Sequence, residues 1–415
     1  TSIAISMDVL ARDRGLQSQI SALLAENIIR PPAVRPSRPL PDWIRPGVHF
    51  YFDHQSFLNT RLAQISEQIP IDAATSHDWS EFAWKWADWR QSFLQNNVNC
   101  SSLHGQMRET QIRIENSFMN WLEHHYLDLL SQPYLPTPTM VHHALHYIAA
   151  RFLPSEKNPL AIVVVDGMAI EDWLVIRQNL PNDEDMSWQI QERSLFALVP
   201  SITPVSRQAL LSGQLPRNFT GNWLSTDTEE SAWRVFWESR GLHPESIAYL
   251  RGLGNPGERE ELFEAPVETI LNQPHKAVTA MIVNTIDDLM HNNILGTDAF
   301  LRQIAIWGKH GYLYMLIGRL LEQHTSVIIT TDHGHLEGQG IGDIALKDAA
   351  AERSLRARIF SSRAFEMTKR DPDTILQWRA AGLPDNTSVF IPAGIGLFAK
   401  PGTTAISHGG AALEE

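Results

Sequence analysis

The chain has 415 residues, 43% hydrophobic and 20% charged, a globular composition that excludes a largely disordered protein. Net charge is −13, from 34 Lys+Arg against 47 Asp+Glu; that sign argues against a passive binder of phosphate backbones, but metal ions can reverse it locally in an enzyme. The length exceeds what one core usually holds, so two or three domains are expected.

The longest apolar runs resemble Leu160 to Val165, against about 20 residues for a membrane helix, so no membrane partner is expected. No charged segment precedes an apolar one at the start, which reads as no signal peptide. The beginning at Thr1 and the end at Leu413-Glu-Glu read as one segment of a longer protein. Cys100 is the only cysteine, so no internal disulfide forms and a cytoplasmic location is expected.

Residues 1–150 read as a mostly α-helical N-terminal domain. At about 30–46, Pro31, Pro32, Pro36, Pro39, Pro41 and Pro46 alternate with Arg30, Arg35, Arg38 and Arg45, which forbids a helix and predicts an extended linker. Trp79, Phe82, Trp86, Trp89 and Phe93 recur at helical spacing on one face, and such an aromatic stripe predicts core. Phe118 to Leu130 repeats the pattern before a break at Pro133, Pro136 and Pro138.

Residues 158–415 read as a second domain of α/β type. Short Val/Ile-rich runs at 161–165, 195–199, 280–283, 326–330 and 388–391 suit strands buried on both faces, with helical patterns between them, as at Phe300 to Gln323. Residues at about 215–275 carry weaker strand signals and read as a cap or insertion.

Functional groups in an α/β sheet collect past the carboxyl ends of strands. There stand Asp166-Gly167, Pro200-Ser-Ile-Thr203, Asp287 with Asp288 and His291, Asp332-His333-Gly334, and later His408-Gly409-Gly410. Carboxylates and imidazoles together suit zinc or manganese, and the spacing of Asp287 and His291 puts both on one helical face. Singly, each has a plainer use: an Asp after a strand caps the next helix, and Asp-Gly makes turns. Two further patterns are set aside. Gly252-x-Gly254-x-x-Gly257 contains Pro256 and opens no helix after a strong strand, and His142, His143 and His146 lack a carboxylate partner.

The ordered set, Asp-Gly, Pro-Ser-x-Thr with Ser212-Gly213 following, Ile286-Asp-x-x-x-His, Thr331-Asp-His-Gly and a late His-Gly, resembles the alkaline phosphatase superfamily. Within it, Val164-Val-Asp-Gly-Met168 and Trp173-Leu-Val-Ile-Arg177 resemble the PglZ family of BREX phage-defence systems. The resemblance spans roughly Leu160 to Gly410.

It implies an alkaline-phosphatase-like sheet flanked by helices and two divalent ions, zinc first and manganese second. One ion would take Asp166, Thr203, Asp332 and His333, the other Asp287, His291 and His408; Asp288 is the second choice for Asp287. Thr203 would be the nucleophile. Two dications and three aspartates leave a net +1 pocket for a phosphoester. Arg207, a turn beyond Thr203, is the nearest candidate for a phosphate-binding guanidinium, and without a firm one a diester is favoured. The implied activity is a metal-dependent phosphodiesterase or nuclease acting on DNA or nucleotides with other BREX proteins. A phosphomonoesterase on a phosphoprotein or nucleotide, and an idle scaffold for BREX partners, stay open beside it. Lys309, His310, His335, Glu337 and Arg356 flank the motifs and read as supporting or surface residues.

Overall fold

The computed structural model describes residues 13–25, 41, 43–95, 101–180, 188–254, 263, 265–272, 276–342, 354–360, 374–378, 381–385 and 387–415. Most of the Pro/Arg-rich stretch, Cys100, and Pro256 and Gly257 lie outside them.

Helices come first in the chain: α1 (Arg14–Ala25), α2 (Arg45–Glu67), α3 (Ser76–Gln95), α4 (Ser101–Ser131) and α5 (Val141–Phe152). Then follow β1 (Leu160–Val165), α6 (Ile170–Asn179), α7 (Thr203–Ser212), α8 (Glu229–Glu238), β2 (Ile247–Leu253), α9 (Ala265–Asn272) and β3 (Val278–Val283). Next are α10 (Thr285–Asn292), α11 (Thr297–His310), α12 (Tyr312–Glu322), β4 (Ser326–Thr330) and β5 (Leu336–Gly340). The last elements are β6 (Arg358–Phe360), β7 (Ile375–Trp378), β8 (Ser388–Pro392), β9 (Gly396–Leu397) and β10 (Thr404–Ser407). No described helix is long and apolar enough to cross a membrane.

The chain forms two compact units, one of residues 1–69 and 85–113, the other of 70–84 and 114–415. This division differs from one at residue 150, because segments 70–84 and 114–150 pack with the β-rich part. In the first unit Trp86, Trp89 and Phe93 stack in succession, at 5.6 and 5.3 Å between centroids, and the Trp89 indole N–H donates to Leu58 O at 3.0 Å. In the second, Trp79 meets Phe118 at 5.0 Å and Trp121 meets Phe196 at 5.8 Å. The aromatic stripe is core, as its spacing predicts.

The main sheet is parallel, in the order β2-β3-β1-β4. Every residue of β1 and β3 is buried, which explains why all but Thr279 are apolar; each buried Val, Leu, Ile or Met contributes about 1.5–3 kcal/mol. Leu160, Ile162 and Val164 of β1 and Val278, Ala280 and Ile282 of β3 point to one face. That face packs on Leu145 and Ile148 of α5, Leu210 and Leu211 of α7, and Trp233, Phe236 and Trp237 of α8.

Three expectations need correction. Residues 195–199 are not a strand; Phe196 forms only an isolated bridge with Met140, and the segment runs as an extended connection into Thr203. The 215–275 region is not wholly a cap, because Ile247–Leu253 is the edge strand of the main sheet, paired with β3. Ser388–Ile391 is buried but belongs to a separate antiparallel sheet, β6-β8-β7. A third small sheet, β10-β5-β9, carries the late His-Gly-Gly segment at the end of β10.

Candidate metal centre

Register places the ligand candidates. Val165 lies opposite Val283, and Val164 opposite Thr330, so three neighbouring strands end together and release Asp166, the Asn284–His291 turn and Asp332-His333 at one edge. Gly167 follows Asp166 at φ +72°, a left-handed conformation that glycine adopts without strain. Its N–H reaches across to Asp332 Oδ1 at 3.2 Å. His408 enters from β10, and Gly409 beyond it has φ +110°; a Cβ there would clash with Ser354 Oγ.

Two triads result: Asp166, Asp332 and His333, all buried, and Asp287, His291 and His408, of which His291 is exposed. Within each triad the ligand atoms lie within 4.8 Å of one another. His291 Nε2 is 3.3 Å and His408 Nε2 3.9 Å from Asp287 Oδ1; His333 Nε2 is 3.7 Å from Asp332 Oδ2 and 4.0 Å from Asp166 Oδ1. The rings of His333 and His408 stack at 4.2 Å, joining the two groups. Thr203, at the start of α7, sets its Oγ1 3.0 Å from His333 Nε2. Six ligand candidates and the hydroxyl thus share one site, while Asp288 is exposed and belongs to neither triad.

The imidazoles are pre-oriented. His333 Nδ1 is 2.9 Å from Gly334 O and His408 Nδ1 is 3.1 Å from Ser201 O. Each carbonyl takes the Nδ1 proton, leaving an Nε2 lone pair turned inward, which is how ligand histidines are held. Burial keeps His333 below the usual imidazole range, and burial together with the neighbouring His333 lowers His408 further. Both shifts favour the neutral ring that a metal requires.

The carboxylates show the complementary strain. Burial, and then the Asp332 charge beside it, pushes Asp166 well above the carboxylate range; burial raises Asp332 to about 6. Burial also works to raise Asp287, but its hydrogen bond with His291 and the nearby imidazoles hold it below its ordinary value. Asp166 Oδ1 and Asp332 Oδ2 are buried without a hydrogen-bond partner. Orphaned buried acceptors are costly, and two facing inward beside an imidazole lone pair fit divalent cations. The donor set of three carboxylates and three imidazoles suits zinc or manganese.

Arg207 is buried, and its guanidinium is engaged by two carboxylates. Nη1 donates to Asp166 Oδ2, and Nε donates to both Glu229 oxygens at 3.0 and 3.1 Å. The guanidinium expected at a substrate phosphate thus contacts Asp166 and Glu229 instead. Asn284 Nδ2 also approaches Asp166 Oδ2, at 3.5 Å. Neither Glu229 nor the carbonyls of Ser201 and Gly334 were marked by the motifs: Glu229 sits among exposed acids at a helix start, and backbone atoms leave no trace in residue type.

The flanking residues belong to neither triad. His335 pairs with Asp172 at 2.7 Å, Arg356 pairs with Glu415 at 2.7 Å, Glu337 accepts from Thr297 N at 3.3 Å, and Lys309 and His310 are exposed. His142 Nε2 and His146 Nε2 bond carbonyls of Leu130 and Gly213, as core histidines do.

A parallel sheet flanked by helices, with paired metal-ligand clusters at its carboxyl edge, defines an alkaline-phosphatase-like domain. The chain belongs to the PglZ family: the sequence model of the BREX system PglZ alkaline phosphatase-like domain matches residues 148–415. It is thus a BREX-associated protein with a fold of phosphoesterase type. Among solved structures it is similar to murine ectonucleotide pyrophosphatase/phosphodiesterase 5. An inactive variant of that protein in complex with AMP is 14% identical, at a TM-score of 0.44 over 62% of this chain and 86% of that one. Another structure of the same protein gives 14% identity and a TM-score of 0.43 over the same shares, 62% and 86%. No curated protein matches the chain.

Proposed function

We propose that residues 158–415 form a metal-dependent phosphoester hydrolase that cleaves diesters, DNA or nucleotide, with Thr203 as nucleophile. The observation that carries this reading is the placement of the Thr203 hydroxyl 3.0 Å from His333 Nε2, a member of one of two triads of candidate metal-ligand side chains. Asp166, Asp332 and His333 would hold one divalent ion and Asp287, His291 and His408 a second, zinc or manganese. When bound, such ions supply Lewis acidity toward the phosphoryl oxygens and lower the pKa of a coordinated hydroxyl or water.

The protein's own groups do the rest. With its Nδ1 proton donated to Gly334 O, His333 presents one Nε2 lone pair, which accepts from the Thr203 hydroxyl in the metal-free protein; a bound ion would take that lone pair, with Thr203 Oγ1 beside it as a further ligand. Thr203 is the first residue of α7, which begins after Ile202. Negative charge developing there lies at the positive end of the helix dipole. Pro204 presets the helical φ and has no N–H to leave unmet. Buried walls on the Asp166 side exclude water, and exposed His291 marks the side from which substrate enters.

The engagement of Arg207 with Asp166 and Glu229 supports a diester, which carries one negative charge and demands less from an added cation than a monoester does. Other BREX proteins are the proposed partners. The test compares zinc- or manganese-loaded protein on bis-p-nitrophenyl phosphate, p-nitrophenyl phosphate, and single- and double-stranded DNA. Faster turnover of the diester supports the proposal; faster turnover of the monoester supports a phosphatase, and loss of neither activity in Thr203→Ala removes the nucleophile.

A further inference from the structure

The buried residues Arg207, Glu229 and Tyr249, linked in series behind Asp166, take no direct part in the chemistry just described. Glu229 is 0% exposed although it opens α8, where acidic residues are usually solvated. Both its oxygens accept from Arg207 Nε, at 3.0 and 3.1 Å, and Oε2 also accepts from the Tyr249 hydroxyl at 2.8 Å. Arg207 in turn donates to Asp166 Oδ2, while Asp166 Oδ1 has no donor. A buried ion pair of this kind is weak as a stabilising device, since apolar residues of similar volume often do as well. Its geometry does something else: it ties down one oxygen of a ligand candidate and leaves the other directed at the Asp332–His333 cluster.

Charge makes the same point. Arg207 alone beside Asp166 would offset the carboxylate and repel a cation in a medium of low dielectric. Glu229 cancels that charge, so the guanidinium orients Asp166 without weakening the site. Tyr249 holds Glu229 from the β2 side, which ties the edge strand to the buried triad.

We infer that Glu229, acting through Arg207, is a positioning residue that sets divalent-cation affinity at the Asp166–Asp332–His333 site, with Tyr249 completing the support. The inference rests on the reading of Asp166 as a metal ligand. Outer partners of ligands typically contribute 10–100-fold to metal affinity, and this one is selective, because among the described residues no hydrogen bond or ion pair joins Arg207, Glu229 or Tyr249 to the Asp287–His291–His408 triad.

Calorimetric zinc titration tests it without reference to activity. In a His291→Ala background, which isolates the buried site, Glu229→Gln should weaken zinc binding by about 10–100-fold, and Tyr249→Phe should weaken it less, in the same direction. In an Asp332→Asn background, which isolates the other triad, Glu229→Gln should leave affinity within about twofold. Folded Glu229→Gln protein with unchanged zinc affinity at the buried site overturns the inference, and so does equal loss at both sites. Should Glu229→Gln fail to fold, Tyr249→Phe decides: affinity unchanged at the buried site overturns the inference. Wild-type protein that binds no zinc at all would instead overturn the site reading beneath it.

Discussion

Asp332→Asn replaces a fully buried carboxylate by an amide of the same shape, and in metal-free protein it should raise stability at neutral pH. Both backbone donors to Asp332 Oδ1, Gly167 N at 3.2 Å and His333 N at 3.1 Å, keep an acceptor in the asparagine. The new amide N–H can turn to Asp166 Oδ1, which now lacks a donor. Burial raises Asp332 from 3.8 to about 6, so the folded state holds the proton more tightly than the unfolded chain does. The stability linked to that proton is complete below about pH 4 and is lost as the pH rises through 6. A gap of about two pH units corresponds to ~3 kcal/mol, or a shift of about 5 °C in melting temperature for a unit of this size. Thermal unfolding with a chelator present should therefore show Asp332→Asn melting higher than wild type at pH 7.5 and equal to it near pH 4. Added zinc should reverse the order, because wild type gains binding energy that the variant cannot. A metal-free Asp332→Asn protein no more stable than wild type at pH 7.5 refutes the claim that this carboxylate is held there for a cation.

Three further outcomes are expected. Thr203→Ala should abolish hydrolysis while keeping zinc stoichiometry, checked by elemental analysis beside the diester assay, whereas a mere loss of helix capping predicts unchanged turnover and about 1 kcal/mol less stability. Glu115 is raised by burial, and next by Glu414, to about 8; its stabilising proton is lost between about pH 4.5 and 8, so Glu115→Gln should flatten the fall in melting temperature across that window. Gly409→Ala should lower stability by about 1–3 kcal/mol through left-handed strain and the clash with Ser354 Oγ, and by moving His408 it should weaken the second zinc site seen in calorimetry.

How far the sequence could be read follows from where each signal lies. Val163, Val164 and Met281 belong to strands buried on both faces, so their apolar runs announce them and the polar residues that follow stand out as an edge. Ile247–Leu253 is an edge strand with both Arg251 and Gly252 exposed, and its mixed composition hides it. The Leu195–Val199 run resembles a strand in composition, but Phe196 packs against Trp121 and Phe118 instead of a neighbouring ladder. Ser388–Ile391 shows the limit of periodicity, which marks a buried strand but not the sheet it joins. At the site, residue type and order marked the ligand candidates, because carboxylate and imidazole chemistry is written in the side chains. Glu229 was invisible because its significance lies in a contact with Arg207, 22 residues away, and nothing local distinguishes it from its exposed neighbour Glu230.

Anomalous diffraction at the zinc edge, from crystals grown with zinc, tests the central claim most directly. Two peaks about 4 Å apart are expected. One should lie ~2 Å from oxygens of Asp166 and Asp332 and from His333 Nε2, within reach of Thr203 Oγ1. The other should lie ~2 Å from Asp287 and from the Nε2 atoms of His291 and His408. No peak at this edge of the sheet, or zinc bound only elsewhere on the protein, would contradict the account.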